Sequence, residues 1–217
     1  MNATFQLPVW FDLAATFAFA LTGALAAVKR GYDIVGLLSL ALVSGIGGGL
    51  IRDGIFLQQN GITPLLTNPD YLYVIAAAAV IGVVLGERVH HFQRLIALVD
   101  AIGLGAYACF GVQKSLLAGL PALAAVLVGV VNAVGGGLLR DVLTREEPLV
   151  FRPGQFYVLT AVAGAVSFVF LVVQFGWRPT TAALAAIGLT FVFRALTILF
   201  NWRTEAVSTV RILPKGL

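Results

Sequence analysis

The sequence predicts an all-α integral membrane protein with seven transmembrane helices, built as two inverted three-helix repeats plus a seventh helix. Three observations carry this. Of the 217 residues, 59% are hydrophobic and only 11% are charged, whereas a soluble domain usually carries about a quarter charged residues; mean hydropathy is +0.97. Apolar runs repeatedly approach the ~20 residues needed to cross a ~30 Å hydrocarbon core. Finally, the run Gly47-Gly48-Gly49-Leu50-Ile51-Arg52-Asp53 returns 88 positions later, without a gap, as Gly135-Gly136-Gly137-Leu138-Leu139-Arg140-Asp141. The same offset carries Asp12 onto Asp100, Gly23 onto Gly111, Gly31 onto Gly119 and Val43 onto Val131.

The breaks between apolar runs set the elements, predicted at 9–28, 33–57, 70–86, 95–113, 116–143, 156–176 and 180–201. The first eight residues carry no Lys or Arg, so a secretory n-region is missing and the first span is read as retained. Lys29-Arg30-Gly31 makes the first short turn. Thr63-Pro64 and Asn68-Pro69-Asp70 close the second span and start the third. Lys114 and Gly119-Leu120-Pro121 mark the counterpart of the first turn, and Pro179 opens the last helix at a position where a first-turn proline is tolerated. The first repeat is expected over 9–90 and the second over 95–176, with the seventh helix at 180–201, all in one membrane domain. Three spans per copy is odd, so the second copy enters the bilayer from the opposite side, which gives a pseudo-two-fold axis in the membrane plane.

Connector charge orients the bundle. Nine Lys or Arg residues, from Lys29 to Lys215, fall on one side and only Lys114 and Arg178 on the other. The positive-inside rule places the first side in the cytoplasm, with the N-terminus outside and the C-terminus inside. The net charge of +4 needs no nucleic acid; anionic lipid headgroups are partner enough.

The chemistry concentrates at the repeated heptapeptide. Three consecutive glycines weaken a helix, by about 1 kcal/mol each relative to alanine, and are expected to unwind and kink the second and fifth spans. Unwound backbone within a bilayer must be buried in protein or line water. The carbonyls of Gly47, Gly48, Gly135 and Gly136 are then candidates to coordinate a passing monovalent cation. Ser44 and Asn132, equivalent residues three before each run, add side-chain oxygens. Gly49 and Gly137 complete the runs, and Asp53 and Asp141 cap the restarted helices or bias the route toward cations. Close packing of small residues is the competing reading of the glycines. Antiparallel register in each hairpin sets Asp12 level with Arg52 and Asp100 level with Arg140, so two symmetry-related ion pairs are expected, each neutralising a charge in a low-dielectric setting. Locking helices together is the competing role of these pairs.

The rest of the chain offers little chemistry. No nucleophile elbow, phosphate-binding loop or His/Cys/carboxylate ligand set is present, so no enzyme and no cofactor are expected. Cys109 lacks a second cysteine for a disulfide. His90 and His91 are read as a solvated connector, as are Glu87, Glu146 and Glu147, while Arg194 either snorkels or pairs. Phe11, Phe17, Phe19, Tyr107 and Phe110 are candidates for a hydrophobic constriction, although packing suits most of them better.

Two Gly-Gly-Gly-Leu-x-Arg-Asp motifs in a seven-span chain resemble the prokaryotic trimeric intracellular cation channel family. The resemblance covers essentially the whole chain. It implies a homotrimer in a bacterial or archaeal cell membrane, each protomer having its own pore. Gly47–Gly49 and Gly135–Gly137 would kink its second and fifth helices there. It also implies passive, potassium-favouring conduction of monovalent cations. Animal members bind phosphoinositide through basic residues without a match here, so no lipid cofactor is implied. The same bacterial domain is also described as a glycine transporter, and small-solute transport through the same inverted-repeat site is the runner-up. A purely structural membrane protein is third. Subunit contact is expected on outward faces near Gly36 and Gly129.

Overall fold

The computed structural model describes residues 5–58, 63, 67–86, 93–152 and 156–202. His90, His91 and Glu87 lie outside them, as do Arg203, Arg211 and Lys215. Among the described residues the chain forms seven helices: α1 (Trp10–Lys29), α2 (Ile34–Ile51), α3 (Asp70–Gly86), α4 (Gln93–Leu117), α5 (Ala122–Leu143), α6 (Tyr157–Val169) and α7 (Pro179–Leu199). A π-helical turn prolongs α2 over Arg52–Leu57 and another prolongs α6 over Phe170–Gln174. Six of the seven, counting these extensions, are long and apolar enough to cross a membrane; α3 is the shorter one. The protein is an integral membrane protein.

Local chemistry repeats with the sequence. At the end of α1, Gly31 takes φ +70°, Tyr32 N–H donates to the Ala27 carbonyl and Gly31 N–H to that of Val28. At the end of α4, Gly119 takes φ +85°, Leu120 N–H donates to the Ser115 carbonyl and Gly119 N–H to that of Leu116. This is the same left-handed glycine cap built twice, since only glycine enters that conformation without a Cβ penalty. It ends α4 later than the predicted residue 113, because Lys114 and Ser115 continue the helix and only Gly119 turns it. Asp33 caps α2 by accepting from Gly36 N–H at 2.8 Å, and Pro179 opens α7.

Within the first repeat α1 packs on α2 and α3; within the second, α4 packs on α5 and α6. The repeats meet through α1 against α4 and α2 against α5, and α7 lies against α4 and α6. One buried cluster joins α1, α2 and α3, and a larger one joins α1 to α4, α5, α6 and α7. Gly129 faces Ala108 and Val112 of α4. That glycine is an intramolecular packing site, which corrects its expected place at a subunit contact.

The expected unwinding at the glycines is also corrected. α2 remains α-helical through Gly47–Gly49 and α5 through Gly135–Gly137, so the backbone carbonyls stay engaged in the helices. The carbonyls of Gly48 and Gly49 accept from Arg52 N–H. The glycines serve close approach instead. A Cβ on Gly48 would collide with the carbonyl oxygen of Asn132, and one on Gly136 with that of Ser44. Two helices touching backbone to backbone are each other's solvent, and this contact outweighs the weak intrinsic helicity of glycine.

Candidate ion pathway

The α2–α5 crossing places the two repeated motifs back to back, with a charged cluster on either side. Equivalent side chains brace the crossing in equivalent ways: Ser44 Oγ donates to the Phe19 carbonyl at 2.8 Å, and Asn132 Nδ2 donates to the Tyr107 carbonyl at 2.7 Å. Phe19 and Tyr107, themselves related by the offset of 88, stack with ring centroids 5.4 Å apart. The Tyr107 hydroxyl donates to the Gly45 carbonyl and lies 2.8 Å from Thr16 Oγ1. Both rings are fully buried. Phe19 and Tyr107 therefore form an apolar layer between the clusters, with α1, α2 and α4 all tied into it. Phe11 and Phe110 are also buried.

In the first-repeat cluster Asp12, Arg52 and Asp53 are buried. Arg52, fully buried, lays its fork on Asp53, with Nε to Oδ1 at 2.6 Å and Nη2 to Oδ2 at 2.9 Å. Its Nη1 donates to Asn132 Oδ1 at 3.4 Å and stands 3.8 Å from Asp12 Oδ1. The hairpin register brings Asp12 to Arg52, but the neighbouring Asp53 takes the stronger, bidentate geometry. The expected role of Asp53 as a helix cap is thereby replaced by ion pairing. Asp12 is held by Tyr71, whose hydroxyl donates to Oδ2 at 2.5 Å. Lys114 Nζ donates to both oxygens of Asp53, at 3.1 and 3.3 Å, and Arg52 and Lys114 both lie over the Phe110 ring.

The second-repeat cluster opens onto a cavity. Arg140 donates from Nε to Asp141 Oδ1 at 2.9 Å and from Nη1 to Thr22 Oγ1 at 2.8 Å, and its Nη1 lies 3.5 Å from Asp100 Oδ1. Asp141 Oδ2 accepts from Leu149 N–H at 3.2 Å. Arg194 of α7 is buried here, its guanidinium 5.3 Å from the Tyr157 ring centroid. The cavity, about 240 Å³, has Asp100, Arg140 and Asp141 on its wall together with Lys29, Glu146 and Arg152. Glu146 pairs with Arg30 at 3.0 Å and with Lys29 at 3.5 Å, joining the α5–α6 connector to the α1–α2 turn. Its carboxyl is partly desolvated, yet the two cations hold it below the ordinary value of 4.5.

Among the described residues, no three His, Cys, Asp or Glu side chains are grouped to hold a metal ion. Tyr107 is a constriction candidate in the sequence, whereas nothing in the sequence marks Tyr71, Tyr157 or Lys114 as site residues. Tyr71 and Tyr157 sit 86 apart, two short of the repeat offset, so gapless comparison does not align them.

The model of the family described as "Glycine transporter" matches twice, over residues 9–87 and 97–173. A UPF0126 membrane protein of Deinococcus radiodurans is 37% identical over 159 residues, 72% of each chain. The UPF0126 inner membrane protein YadS of Escherichia coli K12 is 31% identical over 194 residues, covering 89% of this chain and 92% of that one. A solved structure of the TRIC trimeric intracellular cation channel orthologue from Rhodobacter sphaeroides superposes with a TM-score of 0.81 at 31% identity, over 88% of this chain and 97% of the other. The chain belongs to the prokaryotic trimeric intracellular cation channel family. A second TRIC structure, described for conductance through TRIC cation channels, gives a TM-score of 0.79 at 29% identity, over 93% and 97% of the two chains. The TRIC fold thus accounts for all seven helices described above.

Proposed function

We propose that the protein is a passive channel for monovalent cations, favouring potassium, with one pathway inside each protomer of a homotrimer. The observation that supports this most is the pair of buried Arg-Asp-Asp clusters on either side of the α2–α5 crossing, in a chain whose structural neighbours are described as cation channels. The pathway runs from the cavity beside Arg140, Asp100 and Asp141, across the Phe19–Tyr107 layer flanked by Ser44 and Asn132, to Arg52, Asp53 and Asp12. Carboxylates rather than glycine carbonyls meet the cation, because the glycine backbone is helical. The buried Phe19–Tyr107 layer makes the described conformation a closed one. The basic connector side carries the cavity and faces the cytoplasm by the positive-inside rule. No resident cofactor and no catalytic step are invoked.

Glycine transport through the same site is the less favoured reading, since the solved relatives are described as cation channels. Purified protein in liposomes separates the two. Potassium flux under a set voltage, with no saturable uptake of labelled glycine, is the expected result. Saturable, ion-coupled glycine uptake without current overturns the channel, and silence in both assays returns the protein to a structural role.

A further inference from the structure

The wall of the cavity beside Arg140 is electrically balanced. Lys29 pairs with Glu146 at 3.5 Å, Arg152 with Glu147 at 3.9 Å and Arg140 with Asp141 at 2.9 Å. Two charged lining residues remain, Asp100 and Arg194. Arg140 Nη1 also stands 3.5 Å from Asp100 Oδ1, but the single charge of Arg140 is already matched by Asp141. Neutrality of the wall therefore depends on Arg194.

Nothing in α7 itself calls for that arginine. It is the sole charged residue in the helix, a charged side chain at membrane depth is costly, and α7 stands outside the 88-residue repeat, so repeat symmetry does not place it. Its surroundings do account for it. Arg194 is buried, its guanidinium lies 5.3 Å from the Tyr157 ring centroid, and it shares the cavity wall with Asp100. We infer that Arg194 sets the charge selectivity of this cavity: it cancels the negative charge of Asp100, so that a monovalent cation passes and a divalent cation is not retained. This inference rests on the channel reading above and adds the residue that bars divalent cations. Coulomb attraction scales with the charge of the ion, so an uncompensated carboxylate acts more strongly on Mg²⁺ than on potassium. Mg²⁺ keeps several of its waters and binds through one or two carboxylates, and a cavity of about 240 Å³ walled by Asp100 and Asp141 has room for such an ion.

Charge removal and charge addition test this separately. Arg194→Met deletes the charge and keeps an unbranched stem. In liposomes under a set voltage, the Mg²⁺ concentration that halves potassium flux should fall about tenfold, because the wall is left one charge negative. Arg194→Lys should return it toward the wild-type value, and so should Asp100→Asn added to Arg194→Met, which makes the wall neutral again. A second readout does not depend on conduction: at constant ionic strength, Mg²⁺ should raise the melting temperature of detergent-solubilised Arg194→Met more than that of the wild type. Ala97 also lines the cavity, one helical turn before Asp100. Ala97→Asp, with Arg194 in place, should gain the same Mg²⁺ response, which keeps the test decisive should Arg194→Met fold poorly. A folded Arg194→Met protein that answers Mg²⁺ as the wild type does overturns the inference. So does a folded Ala97→Asp protein with no added response, or an Mg²⁺ response that survives Asp100→Asn. If the wild type passes no potassium yet Arg194→Met and Ala97→Asp both gain the Mg²⁺ stabilisation, the charge balance stands and the channel reading falls.

Discussion

Arg52 and Arg140 show how a charge is kept at membrane depth. Each has an adjacent aspartate for its fork and an aspartate from the first helix of its own repeat nearby. Removing one member of a buried pair costs roughly 3–5 kcal/mol, because the remaining charge is stranded. Arg52→Ala should therefore lower stability by about that much, and Asp12→Asn in the same chain should recover more of it than Asp53→Asn does, since Asp53 keeps the Lys114 ammonium as its partner while the ion pair of Asp12 is with Arg52. A double-mutant cycle on detergent-solubilised protein measures this; strictly additive losses for Arg52 and Asp12 would show the pair to be uncoupled. Glu146 is a milder case, with its side chain 36% exposed. Its lowered pKa means that its contribution is present above the ordinary value of 4.5 and disappears as pH falls through the lower folded-state value. Exposed pairs of this kind contribute about 0–1 kcal/mol and weaken with salt. The melting-temperature gap between wild type and Glu146→Gln should accordingly be small at neutral pH, shrink in high salt and vanish below the folded-state pKa.

At the scale of elements, the α2–α5 crossing depends on the absence of side chains. Gly48→Ala or Gly136→Ala drives a methyl group into the backbone of the facing helix, and overpacking of this kind costs about 1–3 kcal/mol. Gly188, in α7, meets nothing within 4 Å, so Gly188→Ala should be neutral or stabilising by up to about 1 kcal/mol through helix propensity. Thermal unfolding of the three variants side by side checks both signs. Equal losses at all three would mean that the crossing is not the tight point of the bundle. The first-repeat motif also differs from its twin in helix type: α2 passes into a π-helical turn at Arg52, whereas Arg140 remains in regular α-helix. Single π turns recur at functional positions, and this one begins at Arg52 and Asp53 of the buried first-repeat cluster.

For the whole molecule, the inverted repeat yields two similar half-sites that need not be open together. Here the second-repeat site meets a cavity while the first is buried, and the Phe19–Tyr107 layer separates them. Assembly follows from the same plan. With charges enclosed within each protomer, subunits can join through their apolar exteriors, and native mass measurement of protein extracted in a mild detergent should find trimers, each with three separate pathways. A persistent monomer that still conducts would remove the trimer from the mechanism without touching the pathway inside the protomer.

The sequence by itself determined the class, the seven helices and their repeat. Those properties live in composition, in hydrophobic length and in an offset that can be counted. It also placed Asp12 opposite Arg52 and Asp100 opposite Arg140, because a short glycine-capped hairpin leaves little freedom in register. Only tertiary structure decided what the glycines do: intrinsic propensity says that three in a row unwind, but a facing glycine run turns the same weakness into backbone contact. Only tertiary structure, too, brought Lys114 from the second repeat onto Asp53 of the first and Tyr71 onto Asp12. Such partners are far apart in the chain and meet through packing between helices, which no local pattern encodes.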